Sequence, residues 1–297
     1  METIQSNKPN NNNKDKKLAI AYFELIIIAF LWGLATILVK DNLDEIPTFH
    51  VVAARFLIGA IFVFITAPKK ILSIKKDEIK RGVPTGIIVF STYALFTIGL
   101  KYTSASKAGF LVSLSVLFVP IIQSISNKKK PSKWTIISIS WSLIGLYLIS
   151  GINGTSINIG DIIIITAALG NTLYIILIDR IGKNIDNYRF TFIQLFTTFI
   201  VSFIIALFYE GLNLHVIKAN FLRLLIIGIG GTGITTFLQT KAQKVASPES
   251  VGIILLAEPL TTLMMAFFFL NETILLRGFI GSIILTAALI IAILKKI

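Results

Sequence analysis

The sequence predicts an all-α, polytopic membrane protein of ten transmembrane helices, built as two inverted five-helix repeats. Three observations predict it. Apolar stretches long enough to cross a bilayer recur down the whole chain. Basic residues collect in alternate connections. Short motifs recur at a constant spacing between the two halves.

Composition supports the first observation. The chain has 297 residues, of which 55% are hydrophobic and 14% charged, and its mean hydropathy is +0.82. Soluble domains carry about 25% charged residues, and no polar segment here is long enough to form one. A net charge of +13 raises the question of nucleic acid. The Lys and Arg residues sit in short runs between apolar segments, where they act as topology signals, so no nucleic-acid partner is expected. With no cysteine there is no disulfide framework, thiolate metal site or thiol nucleophile. Histidine is limited to His50 and His215. No metal, no cofactor and no catalytic residue is expected.

Residues 1–17, containing KPNNNNKDKK, read as a disordered cytoplasmic tail. No small-residue cleavage site follows the first apolar run, so that run is a retained helix. A spanning helix needs about 20 mostly apolar residues. Candidate spans one to ten cover 18–39, 47–67, 83–100, 108–126, 134–151, 161–178, 190–209, 221–239, 251–270 and 278–294. Connections as short as 101–107 and 271–277 force neighbouring spans to run antiparallel.

Placing the amino terminus in the cytoplasm puts 21 of the 28 Lys and Arg on inside segments and 6 on outside ones. The remaining one, Arg55, lies within span two. This bias fits ten spans in the cytoplasmic membrane with both termini on the cytoplasmic side. Nine or eleven spans would strand a basic segment on the wrong side.

The halves echo each other. KYTSASKAGFLVSLSVLFVP, from Lys101, matches QKVASPESVGIILLAEP, from Gln243. Gly86 falls opposite Gly228, Lys107 opposite Glu249 and Leu114 opposite Leu256, all at one offset. Arg55 falls near Gln194, and Lys40 near Arg180. The units are residues 18–151, spans one to five, and 160–297, spans six to ten. An odd number of spans per unit means the second enters the membrane with opposite sense.

FLWGLATILVK in span one, Arg55-Phe56 in span two, KYTSASKAGFL before span four and LLAEPLTTLMMAFFFLNE in span nine carry a family resemblance. The chain resembles the EamA branch of the drug/metabolite transporter superfamily from Ala19 to Leu294, as two EamA-type repeats. The second half departs at Asn171-Thr172, where a Trp-small pair is common. The resemblance implies a ten-helix carrier with a central cavity and alternating access. Family members mostly export amino acids, other metabolites or toxic compounds, and some import.

Residues that lipid does not welcome are the candidates for chemistry. A charge at the bilayer centre costs roughly 3 kcal/mol or more. Glu24, Arg55 and Glu258 stand out. Arg55 serves either as a ligand for a substrate carboxylate or a member of a gate ion pair, or as the structural partner of a loop acid such as Asp41, Asp44 or Glu45. Glu258 precedes Pro259, which removes a backbone donor, and is the candidate coupling residue. Glu24 lies near a span end, where snorkelling suffices.

Trp32, Tyr93, Asn171, Tyr174, Gln194 and Gln239 are polar or aromatic residues within apolar spans. With Arg55 they form the candidate substrate-binding set if their spans enclose one cavity. Taken singly, each also fits helix–helix hydrogen bonding. Asn171 and Tyr174 share a helix face. GVPTG (82–86) and GIGGTG (228–233) read as close-packing segments.

No H-E-x-x-H, G-x-S-x-G or Walker-type loop occurs, so neither hydrolysis nor internal ATP drive is indicated. The expected function is a secondary transporter, an exporter of small organic metabolites such as amino acids. The alternatives are a broad-specificity drug exporter, a non-transporting sensor and a lipid-modifying membrane enzyme. Expected partners are the small-molecule substrate and membrane lipid, with a homodimer left open.

Overall fold

A computed structural model describes residues 11–42, 46–128, 130–150, 157–211, 214–270 and 275–295. Every regular element among them is helical. Span one is α1 (Asn11–Asn42) and span two is α2 (Thr48–Thr66), followed by the short α3 (Pro68–Ile71). Span three is α4 (Lys76–Tyr102). Span four is divided into α5 (Ala105–Ser113) and α6 (Ser115–Asn127), and span five is α7 (Lys133–Ile149). Span six is α8 (Ile159–Ile181). Span seven is α9 (Asn187–Ile205), ending in a π-turn at Ala206–Glu210. After α10 (Leu214–Ala219), span eight runs through α11 (Phe221–Gly228), a π-helical turn at Ile229–Ile234 and α12 (Thr235–Ala242). Span nine is α13 (Pro248–Ile254) and α14 (Ala257–Leu270), and span ten is α15 (Leu276–Leu294).

Nine of these spans are long and apolar enough to cross a membrane among the described residues, and the 17-residue α7 is the tenth. At 1.5 Å per residue α7 is about 25 Å long, enough for a thin or locally adjusted bilayer. α1 begins at Asn11, so residues 11–17 of the polar tail form helical turns ahead of the apolar run.

The largest packing contacts have counterparts five spans later. α7 packs on α15, and α2 on α9. α4 against α8 is matched by α1 against α12, and α4 against α9 by α2 against α11. α1 against α14 is matched by α8 against α5 and α6. The architecture is therefore two inverted five-helix repeats. Glycines permit its closest approaches. A Cβ on Gly86 would meet Thr197 Cβ at 2.6 Å and the Gln194 carbonyl at 3.0 Å. A Cβ on Gly228 would meet Ile58 Cβ at 2.6 Å and the Arg55 carbonyl at 3.1 Å. Gly86 with Gly228 and Arg55 with Gln194 thus occupy matching places.

Beyond span eight the correspondence shifts by one residue. Ser104 caps α5 by accepting from the Lys107 N–H (3.2 Å), and Ser247 caps α13 by accepting from the Ser250 N–H (3.1 Å). Lys107 therefore stands opposite Ser250, not Glu249. The π-turn after Gly228 accounts for the added residue, because α4 has no such bulge.

Both repeats break their fourth helix at the same place, at Leu114 and at Leu255–Leu256. In span nine the cause is Pro259, which cannot donate to the Leu255 carbonyl four residues back. That carbonyl accepts instead from the Glu258 N–H, at 3.0 Å. Val116 stands where Pro259 does, so span four keeps the break without the proline.

The bundle has two ends, a near face where α1 begins and a far face where it finishes. On the far face Glu210 accepts from the Phe49 and His50 N–H groups (3.1 Å each) and pairs with His50 Nδ1 (2.7 Å). It thereby satisfies N–H groups that the first turn of α2 leaves without a helical partner. Lys107 pairs with the buried Asp161 (2.6 Å), joining spans four and six. On the near face the matching contact is neutral, Tyr22 to Ser250 at 3.2 Å. Glu24, almost fully buried, pairs there with Lys241.

Candidate functional site

A cavity lies between the repeats. Its wall comes from spans one, two, three, four, six and nine. Trp32 and Thr36 project from α1, Arg55 from α2, Thr92, Tyr93 and Phe96 from α4, and Ser113 and Ser115 from the break in span four. Asn171 and Tyr174 project from α8, and Gly252, Leu255, Leu256 and Glu258 from the break in span nine. Ala35 and Val39 continue the α1 wall, so it runs from Trp32 to Val39 and extends the cavity about 10 Å along that helix toward the far face.

Arg55 is 4% exposed. It donates from Nε to the Thr232 hydroxyl (2.8 Å) and from one Nη to the Gly231 carbonyl (3.1 Å). Both acceptors belong to the π-turn of span eight, where the widened helix leaves a carbonyl for side-chain use. The GIGGTG segment is thus both a close-packing surface and the seat of the arginine. The guanidinium also lies 4.9 Å from the centre of the Tyr93 ring, a cation–π distance. Tyr93 is fixed edge-on against Phe56 at 5.0 Å. The acids weighed as loop partners for Arg55, Asp44 and Glu45, lie outside the described residues, as does the side chain of Asp41.

Glu258 opens α14 immediately after the break, with the Thr36 hydroxyl in reach of its carboxylate. No salt bridge joins it to Arg55 among the described residues, although both face the same cavity. Asn171 donates from Nδ2 to Ser115 (3.4 Å), linking spans six and four. The buried Trp32 indole N–H points at the Tyr93 hydroxyl, short of strict hydrogen-bond geometry.

Of the sequence candidates, Trp32, Arg55, Tyr93, Asn171, Tyr174 and Glu258 meet at this cavity. Gln194 and Gln239 are not among its lining residues. Gln194 stands behind the wall, accepting the Tyr174 hydroxyl at 2.9 Å, and Gln239 is wholly buried in α12. Thr36, Ser113, Ser115 and Thr232 were not expected from the sequence. Small hydroxyls in apolar helices give little signal, because they can bond their own helix, as Ser113 does to the Gly109 carbonyl (2.7 Å). Among the described residues no group of acids and histidines is arranged to hold a metal ion.

Comparison with known proteins agrees with this architecture. The model of the EamA-like transporter family matches residues 19–151 and 158–294. An uncharacterized transporter of Archaeoglobus fulgidus is 28% identical over 271 residues, covering 91% of this chain and 85% of that protein. An uncharacterized transporter of Clostridium kluyveri is 26% identical, covering 82% of each. One crystal structure of a protein superposes with a TM-score of 0.76 over 95% of this chain and 98% of that one, at 15% identity, a likeness of fold. The chain belongs to the EamA-like transporter family and is a multi-pass membrane transporter.

Proposed function

We propose that the protein is a secondary carrier that exports small organic metabolites such as amino acids by alternating access. Both termini lie in the cytoplasm, and the cavity opens to each side of the cytoplasmic membrane in turn. The observation that carries this reading is the pair Arg55 and Glu258, opposite charges facing one cavity without an ion pair between them. An α-amino acid presents a carboxylate and an ammonium. Nε and one Nη of Arg55 hold the side chain in place, and its other Nη faces no protein acceptor among the described residues. A planar guanidinium suits a carboxylate, and Glu258 complements the ammonium or carries the coupling proton. Trp32, Tyr93 and Phe96 provide apolar surface for the rest of the solute. The sidedness rests on the distribution of Lys and Arg.

Purified protein screened by thermal shift against amino acids, nucleosides and cationic drugs tests the cargo. Ligand at 100 times its Kd stabilises by about 2.7 kcal/mol. A shift with amino acids is expected, whereas a shift with cationic drugs alone would favour the broad-specificity exporter. Glu258→Gln tests coupling. It is expected to abolish pH-driven uptake into proteoliposomes while sparing counterflow exchange. Unchanged pH dependence removes Glu258 from that role.

A further inference from the structure

The polar side chains that the cavity leaves unused lie together on spans seven and eight. Gln194, Gln239 and Gln243 are each 0% exposed. Gln194 has no partner for Nε2, and Gln239 has none for either amide atom. Gln243 donates to the Ile175 carbonyl (3.0 Å) but its Oε1 is unpartnered. Asn187 donates to the Phe237 carbonyl (3.0 Å) and its Oδ1 is likewise unpartnered. A buried amide left unsatisfied costs about 1–3 kcal/mol, so such a concentration calls for a physical reason.

Their depths form a series. The Thr191 and Thr240 hydroxyls meet at 2.9 Å and fix the register of α9 against α12. From that level, at 1.5 Å per residue, Gln194 lies about 4.5 Å toward the cavity and Gln239 about 1.5 Å toward it. Gln243 lies about 4.5 Å and Asn187 about 6 Å toward the near face. The row starts behind Tyr174 in the cavity wall and ends among the near-face connections. The first repeat has no such row. Allowing for the π-turn, Phe96 and Leu100 stand where Gln239 and Gln243 do.

We infer that this row of amides is the closed form of a passage between the cavity and the near face. Span six holds it shut through Tyr174 on Gln194 and the Ile175 carbonyl on Gln243. When span six draws back from spans seven and eight, water and the polar groups of the solute supply the missing hydrogen bonds. The inference rests on the alternating-access reading.

The chain has no cysteine, so Gln239→Cys and Gln243→Cys report alone. The probe is a membrane-impermeant, cationic methanethiosulfonate, applied to proteoliposomes of known sidedness, with the exposed Arg81→Cys marking the near face. Both cysteines are expected to react from the Arg81 side and not from the other. Absence of reaction from either side, or reaction from the Lys107 side alone, would overturn the passage. If neither variant folds, hydrogen–deuterium exchange of the unaltered protein reads the same row. Residues 236–243 are then expected to exchange faster than 93–100, and equal protection would overturn it. An unreactive row in protein that still transports removes the passage alone, whereas a failed cargo screen or unaltered coupling removes the function proposed above.

Discussion

The two repeats place their helices alike and line the cavity differently. The first contributes four spans to the wall and the second only two, six and nine. Matching positions carry unlike chemistry. Trp32 answers to Asn171, Ser115 to Glu258 and Arg55 to Gln194. Of the last pair, Arg55 reaches the cavity while Gln194 buttresses Tyr174 from behind. The scaffold is held by backbone proximity at Gly86 and Gly228, which is indifferent to the side chains one turn away. Polarity can therefore be placed on one side only, and an asymmetric solute can be bound by a pseudo-symmetric fold.

The sharpest test sets Arg55→Ala beside Gln194→Ala. Hydrogen bonds from a charged donor contribute about 1.5–3 kcal/mol. Arg55→Ala should therefore weaken binding of a carboxylate solute on the order of 100-fold by titration calorimetry. Gln194→Ala, one layer removed, should weaken it no more than several-fold. Equal losses would erase the distinction between wall and buttress.

A smaller effect separates the ends of the bundle. The contact between spans four and six is the Lys107–Asp161 ion pair, and its counterpart between spans nine and one is the neutral Tyr22–Ser250 bond. Lys107→Met leaves Asp161, 2% exposed, without its cation. Asp161 keeps the Asn158 N–H (2.9 Å) and the Thr103 hydroxyl (3.3 Å), which limits the loss to about 2 kcal/mol. Tyr22→Phe should cost about 0.5–1 kcal/mol. Thermal melting in detergent compares them, and a larger loss for Tyr22→Phe would reverse the ranking.

The ten spans and their inversion were legible because they depend on local apolarity and on where Lys and Arg fall. The inward-facing side of each span was not, since lipid permits both faces of a helix to be apolar. That is why Asn171 and Tyr174, spaced to share a face, line the cavity while Gln194 and Gln239 do not. The π-turn that seats Arg55 was hidden in the same way. GIGGTG announces close approach, but nothing in it specifies that Gly231 will surrender its carbonyl to a side chain from span two. Glu24 was read as a residue able to snorkel, and its pairing with Lys241 depends on a neighbour 217 residues away.

The smallest effect probes the symmetry itself. An added methyl at Gly86 or Gly228 enters occupied space, with its nearest carbon neighbour at 2.6 Å in both cases. Overpacking costs about 1–3 kcal/mol, and replacing a helical glycine by alanine returns nearly 1 kcal/mol. Gly86→Ala and Gly228→Ala should each lose about 1 kcal/mol and melt within a degree or two of one another. Gly109, in α5, has nothing within 4 Å of a Cβ, so Gly109→Ala should be neutral or stabilising. Thr197 and Ile58 are the side chains that must yield at the two sites. Any excess loss at Gly228 measures how much less readily span two shifts, because its backbone also carries Arg55 into the cavity.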